Sequence, residues 1–159
     1  MLTKAGRYEE AVAAYRRLFA SEPGLSRLVE HAAPEEADRG HLSFVKCLRA
    51  TNRRAEAVAF ALDWRATLRK DPLVLYQLAC QLSGCARPVA PGAAAQPSPS
   101  PGELRRYADE AIATLRQAID AGYQDLVRIR EDPDWDSVRS RPDFQQLLRD
   151  LALAKPFAP

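Results

Sequence analysis

Glycine is scarce in this chain, 7 in 159 residues, which argues against sheet-rich folds with many tight turns and against phosphate-cradling loops. Histidine occurs only as His31 and His41, and cysteine only as Cys47, Cys80 and Cys85, with no pair of CxxC motifs. An odd number of thiols beside so few imidazoles fits neither a disulfide framework nor a zinc site. Cys80 and Cys85 are five apart on an expected helix, so their side chains diverge and a disulfide between them is awkward. All three cysteines read as small buried hydrophobes. No apolar run approaches membrane-spanning length, and the opening MLTKAGRYEEAVAAYRRLF lacks the order of segments of a signal peptide, so a cytoplasmic setting is expected. Charge of one sign is lacking as well: 23 basic and 21 acidic side chains leave a formal charge of +2. Residues 1–102 carry 14 basic against 10 acidic groups and residues 103–159 carry 9 against 11, so neither part is a polybasic tract. Nucleic acid and direct membrane binding are therefore not expected. Arginine outnumbers lysine 19 to 4, which suits protein or phosphate recognition through the planar guanidinium but is read more simply as a coding bias.

What the chain has instead is alanine, 28 residues of it, within a 47% hydrophobic composition and a mass of 17.6 kDa. That bounds it to one all-α domain or a short array of close-packed helices. The run AGRYEEAVAAYRRLFASEP over 5–23 sets Ala11, Tyr15 and Leu18 on one helical face and ends at Pro23. A second unit is expected over 25–72. Its start is ambiguous: Leu25, Leu28, Val29 and Ala32 suggest one short segment, Pro34 interrupts, and 35–51 gives a helix carrying Leu42, Val45, Cys47 and Leu48. The run RAEAVAFALDWRATLRKDP over 54–72 places Ala57, Ala61, Trp64 and Leu68 at helical spacing up to its proline.

A third unit is expected over 72–123. PLVLYQLACQLSGCA over 72–86 reads as a helix with Pro72 in its opening turn and Leu75, Leu78, Ala79 and Leu82 buried. RPVAPGAAAQPSPSPG over 87–102 holds five prolines in 16 residues and reads as an inserted surface loop. The helix then resumes over 103–123 with Ala108, Ala111, Leu115, Ala118 and Ile119 on its apolar face and Gly122 as its C-terminal cap. It can pair with 72–86 because loop closure costs only logarithmically with length. A capping segment over 124–151 comprises a short helix or turn at Leu126, Val127 and Ile129, an aspartate-rich turn with Trp135, and a last helix from Pro142 bearing Phe144, Leu147, Leu148 and Leu151. Residues 152–159 read as a tail whose Phe157 packs back.

The 5–23 run resembles the second helix of a tetratricopeptide repeat, in which a small residue faces the first helix, an aromatic fills the next layer and a proline closes the unit. Its first helix is missing. Either this half-repeat trails a unit of a longer chain, or Met1 is a genuine start and the half-repeat caps or dimerises. Over 72–151 the chain resembles the tetratricopeptide-like tails downstream of serine/threonine kinase domains in bacterial proteins of planctomycete type. The cues are LYQLAC over 75–80, the proline-rich loop, YADEAIATLRQAIDAGY over 107–123 and DPDWDSVRSRPDFQQLL over 132–148. The resemblance implies a superhelix of helix pairs whose concave face binds a protein or peptide, with contact to upstream repeats or domains. It maps the structural repeat positions onto Ala11, Tyr15, Leu18 and Pro23, then Ala57, Ala61 and Trp64, then Ala111, Leu115 and Ala118. First helices line the groove in such folds, so the implied partner-binding candidates are Lys46, Arg49, Asn52, Arg53, Tyr76 and Gln77. The family's carboxylate clamps need Lys, Asn and Arg across successive first helices, and that set has no counterpart here.

An enzyme needs a nucleophile and base, paired carboxylates or metal ligands brought together. His31 and His41 are ten apart and lack the HExxH spacing. Asp132, Asp134 and Asp136 alternate across a turn, but Pro133 and Trp135 intrude and no glycine or closing glutamate completes a calcium loop, so capping and solvation account for them better. No kinase motif is present. No residue is assigned to catalysis, to a cofactor or to a metal. The expectation is a non-catalytic interaction module, possible as the scaffolding or regulatory tail of a signalling protein; the alternatives are a structural spacer without a dedicated ligand and, further off, a small helical enzyme.

Overall fold

The computed structural model describes residues 4–20, 34–68, 70–88 and 98–154. Among them are seven α-helices, one 3-10 turn and no strand: α1 (Lys4–Ala20), α2 (Pro34–Ala50), α3 (Arg54–Thr67), α4 (Pro72–Cys85), α5 (Pro101–Asp120), α6 (Leu126–Glu131), the turn Pro133–Trp135 and α7 (Pro142–Ala154). None of the described helices is long and apolar enough to cross a membrane. The expected segment at Leu25–Ala32, Pro23, His31 and the tail with Phe157 lie outside the described residues.

The centre is α4. Nine of its 14 residues are buried, so it is apolar nearly all round, as a helix enclosed by neighbours must be. Helices α2, α3 and α5 and the 3-10 turn all pack on it, α3 also meets α5 where Arg65 bonds Glu110 and Thr114, and α1 packs on α2. Close approach is permitted by alanines without exposure, Ala57 and Ala61 on α3, Ala79 on α4, and Ala111 and Ala118 on α5.

Each boundary has a local cause. Asp71 accepts hydrogen bonds from the N–H groups of Leu73 and Val74, both at 2.9 Å, and Pro72 follows at the first helical position, where it forfeits no bond. Helix α3 therefore stops at Thr67 and does not run on to Pro72 as its periodicity suggests: Asp71 must be extended to cap α4 and Leu68 is already extended. The proline-rich loop is likewise shorter than 87–102. Ser100 and Glu103 form a reciprocal capping box, and Pro101 opens α5. Gly122 (φ 110°) ends α5 in a left-handed cap, its N–H donating to Ile119 O and that of Tyr123 to Ala118 O, both at 2.9 Å.

Two aromatic clusters complete the core. On the N-terminal side Tyr15, Phe44, Phe60, His41 and Trp64 meet in sequence, with Phe44 edge-on to Phe60 at 4.8 Å and His41 stacked on Trp64 at 4.9 Å. On the C-terminal side Tyr76 stacks on Tyr123 at 4.3 Å, while Trp135 lies 5.3 Å from Phe144. Trp135, read from the sequence only as part of a turn, is fully buried.

Candidate functional site

The turn between α2 and α3 builds one wall of a cleft of about 460 Å³. Asn52 adopts the left-handed conformation (φ 59°) that asparagine tolerates better than most side chains. Its N–H donates to Arg49 O at 3.1 Å and that of Arg53 to Leu48 O at 2.8 Å, so α2 ends in the same six-to-one cap as α5. The reversal delivers Asn52, Arg53 and Arg54 to the cleft in succession. Arg16 of α1 reaches it from outside, and Ser98, Pro99, Glu103 and Tyr107 close the opposite side.

Three guanidinium groups converge there in different states. Arg16 forms a fork on Glu56, with Nη2 at 2.6 and 2.7 Å from the two carboxylate oxygens, and this hydrogen bonding raises its pKa. Arg53 pairs with Glu9 at 3.2 Å and more loosely with Glu56 at 3.9 Å. Arg54 has no carboxylate partner among the described residues: its Nη1 donates to Cys85 O at 3.1 Å and to Arg87 O. Burial, reinforced by the nearby Arg49 charge, lowers its pKa. Arg53 occupies the N-cap of α3 and offers it no side-chain acceptor, while Glu56 in the first turn places a carboxylate at the positive end of the helix dipole. Asn52 Nδ2, Arg53 Nε and Arg54 Nε are buried donors without a hydrogen-bond partner among the described residues.

The six residues expected to contact a partner are dispersed. Asn52 and Arg53 line the cleft. Lys46 is exposed on α2 and Gln77 half-buried on α4, both outside it. Arg49 is directed across α4 to Asp134, at 3.5 Å. It passes over Gly84, where a Cβ would overlap the guanidinium, so the missing side chain makes the route. Tyr76 is not on a groove at all: it is 1% exposed, and its hydroxyl donates to Asp132 Oδ2 at 2.8 Å. It belongs to a helix with almost no solvent face, which is why a surface role fails there. Of the structural repeat positions, Ala57, Ala61, Trp64, Ala111, Leu115 and Ala118 are buried, Ala11 and Tyr15 are half-buried against the core, and Pro23 and the side chain of Leu18 lie outside the described residues. Arg16 and Arg54, which complete the cleft, lie outside the first-helix positions that the repeat resemblance points to. The Arg54 signal is its place directly after Arg53; Arg16 has none, since Glu56 is 40 residues away.

A second cluster gathers Cys80, Asp132 and Asp134, whose donor atoms lie within 4.8 Å of one another. Its groups already have structural employment. Asp132 accepts from Tyr76 and from the N–H of Asp134, the latter at 2.9 Å, and so caps the 3-10 turn. Asp134 meets Arg49. Burial first, then the Asp132 charge, pushes the Cys80 thiol up to about 12. The cluster fastens the 132–135 turn to α4.

No protein-family model, no curated protein and no solved structure matches the chain.

Proposed function

We propose that the chain is a non-catalytic protein-interaction module of tetratricopeptide-like helix pairs, serving as a scaffolding or regulatory part of a signalling assembly. In this reading α2–α3 and α4–α5 are successive pairs, α1 is the second helix of a preceding pair, and α6–α7 cap the array. The occupant is an acidic segment of a partner protein. The observation that carries the reading is the convergence of Arg16, Asn52, Arg53 and Arg54 on one cleft, where, among the described residues, Arg54 has no carboxylate partner and three side-chain N–H groups have no acceptor. Carboxylates accept the planar fork of a guanidinium, and an unanswered buried donor gains most from an incoming acceptor.

Fluorescence anisotropy with a short fluorescein-labelled peptide rich in aspartate and glutamate tests this. Binding should be saturable, weaken steeply with added salt, and weaken about tenfold or more in Arg53→Gln and Arg54→Gln variants whose circular dichroism is unchanged. Absence of saturable binding, or binding indifferent to both substitutions, would contradict it.

A further inference from the structure

The cleft has a second potential occupant in the chain itself. Ser98 stands in its wall, exposed, and is followed by Pro99. We propose that Ser98 is a phosphorylation site and that Arg16, Arg53 and Arg54 receive its phosphoryl group. A proline-directed serine/threonine kinase using ATP would form the bond between Ser98 Oγ and the γ-phosphorus. The bond from that phosphorus to the β,γ-bridging oxygen breaks, ADP departs, and the hydroxyl proton passes to the kinase's base.

The neighbouring Ser100 also precedes a proline, but its hydroxyl is committed. Its Oγ accepts the Glu103 N–H at 3.3 Å and donates to the Glu103 carboxylate at 2.8 Å. A phosphate there would lose the cap of α5 and face a like charge. Ser98 makes no such bond among the described residues. It shares the cleft with Arg54, which has no carboxylate partner among the described residues, with the start of α3, which has no side-chain cap, and with three side-chain N–H groups of residues 52–54 that find no acceptor among the described residues. A phosphate supplies a charge near −2 and three acceptor oxygens, which is what that set lacks. The carboxylates of the cleft, Glu56 and Glu103, are already held, by Arg16 and by Ser100. Phosphorylation would tie the entry of α5 to the start of α3 and fill the cleft from within.

The inference concerns the same cleft as the proposed function but does not depend on a partner peptide. The intact chain is incubated with ATP and a proline-directed serine/threonine kinase, the phosphate is located by mass spectrometry, and its second ionisation is followed by 31P NMR. Incorporation at Ser98 is expected, with a second pKa about half a unit or more below that of a phosphopeptide spanning 94–104. Arg54→Gln should abolish most of the difference, and Arg16→Gln, at an exposed position that leaves the core intact, should reduce it. No incorporation, phosphate confined to Ser100, or a pKa equal to the peptide's and indifferent to both substitutions would overturn the proposal. No partner peptide enters the measurement, so its failure is distinguishable from failure of the acidic-segment reading.

Discussion

The N-terminal helices α1–α3 and the C-terminal elements α4–α7 are held by different means. In the C-terminal part four of the five starts carry a side-chain cap: Asp71 caps α4, Ser100 caps α5, Asp125 caps α6 and Asp132 caps the 3-10 turn. Its large aromatics, Tyr76, Tyr107, Trp135 and Phe144, are all enclosed. In the N-terminal part α3 starts without a side-chain cap, and α1 has a single buried residue among its described side chains, Val12. The ties from α1 to the start of α3 are ion pairs at the surface, Arg16 with Glu56 and Arg53 with Glu9. Exposed pairs contribute little to stability. The arginine cleft lies where these two styles meet, on the side with polar groups to spare.

The contrast can be broken most sharply at Trp135. Its truncation in Trp135→Ala should cost about 3–5 kcal/mol in denaturant unfolding, by removing the largest enclosed side chain from the C-terminal core. Val12→Ala should cost less, about 2 kcal/mol, and its hydrogen exchange should show α1 opening while α4 and α5 remain protected. Equal losses at the two sites would dissolve the distinction.

Gly84 sharpens the comparison because it links the two parts. Gly84→Ala should displace Arg49 from Asp134 and cost about 1 kcal/mol, although alanine is the better helix former. In an Arg49→Ala background the sign should reverse, leaving a gain of up to about 1 kcal/mol, and a double-mutant cycle measures the coupling.

The smallest effect is electrostatic. Hydrogen bonding from Arg141 first, and then from backbone N–H, holds the Asp143 carboxyl below the ordinary carboxylate range. A folded-state pKa below the unfolded one means a contribution present above about pH 4 and lost as the pH falls through the folded value. Asp143 is substantially exposed, so the effect is a few tenths of a kcal/mol at most. Stability curves of the wild type and Asp143→Asn should separate above about pH 4 and converge as the pH falls through the folded-state value.

The legible features were those written locally. Helical periodicity located α2, α4, α5 and α7, because the apolar face recurs within each segment. The start of α5 lies at Pro101, before the expected 103, because proline opens a helix readily and Ser100 and Glu103 spell out a capping box. The end of α3 was misjudged because its pattern continues through Leu68, while the chain must straighten before Asp71 can cap α4. What could not be read were the pairings across sequence: Tyr76 with Asp132, Arg49 with Asp134 and Arg16 with Glu56. Two of the six expected contact residues reach the cleft through one turn, and the arginines that complete it come from outside that set.

Chemical-shift mapping tests the central claim most directly. The uniformly 15N-labelled chain is titrated with the acidic peptide. Saturable shifts are predicted at the amides of residues 52–56 and 98–103, on both walls of the cleft, and they should vanish in Arg54→Gln. Shifts confined to α6 and α7, or none at saturating peptide, would contradict the claim that the arginine cleft is where this protein meets its partner.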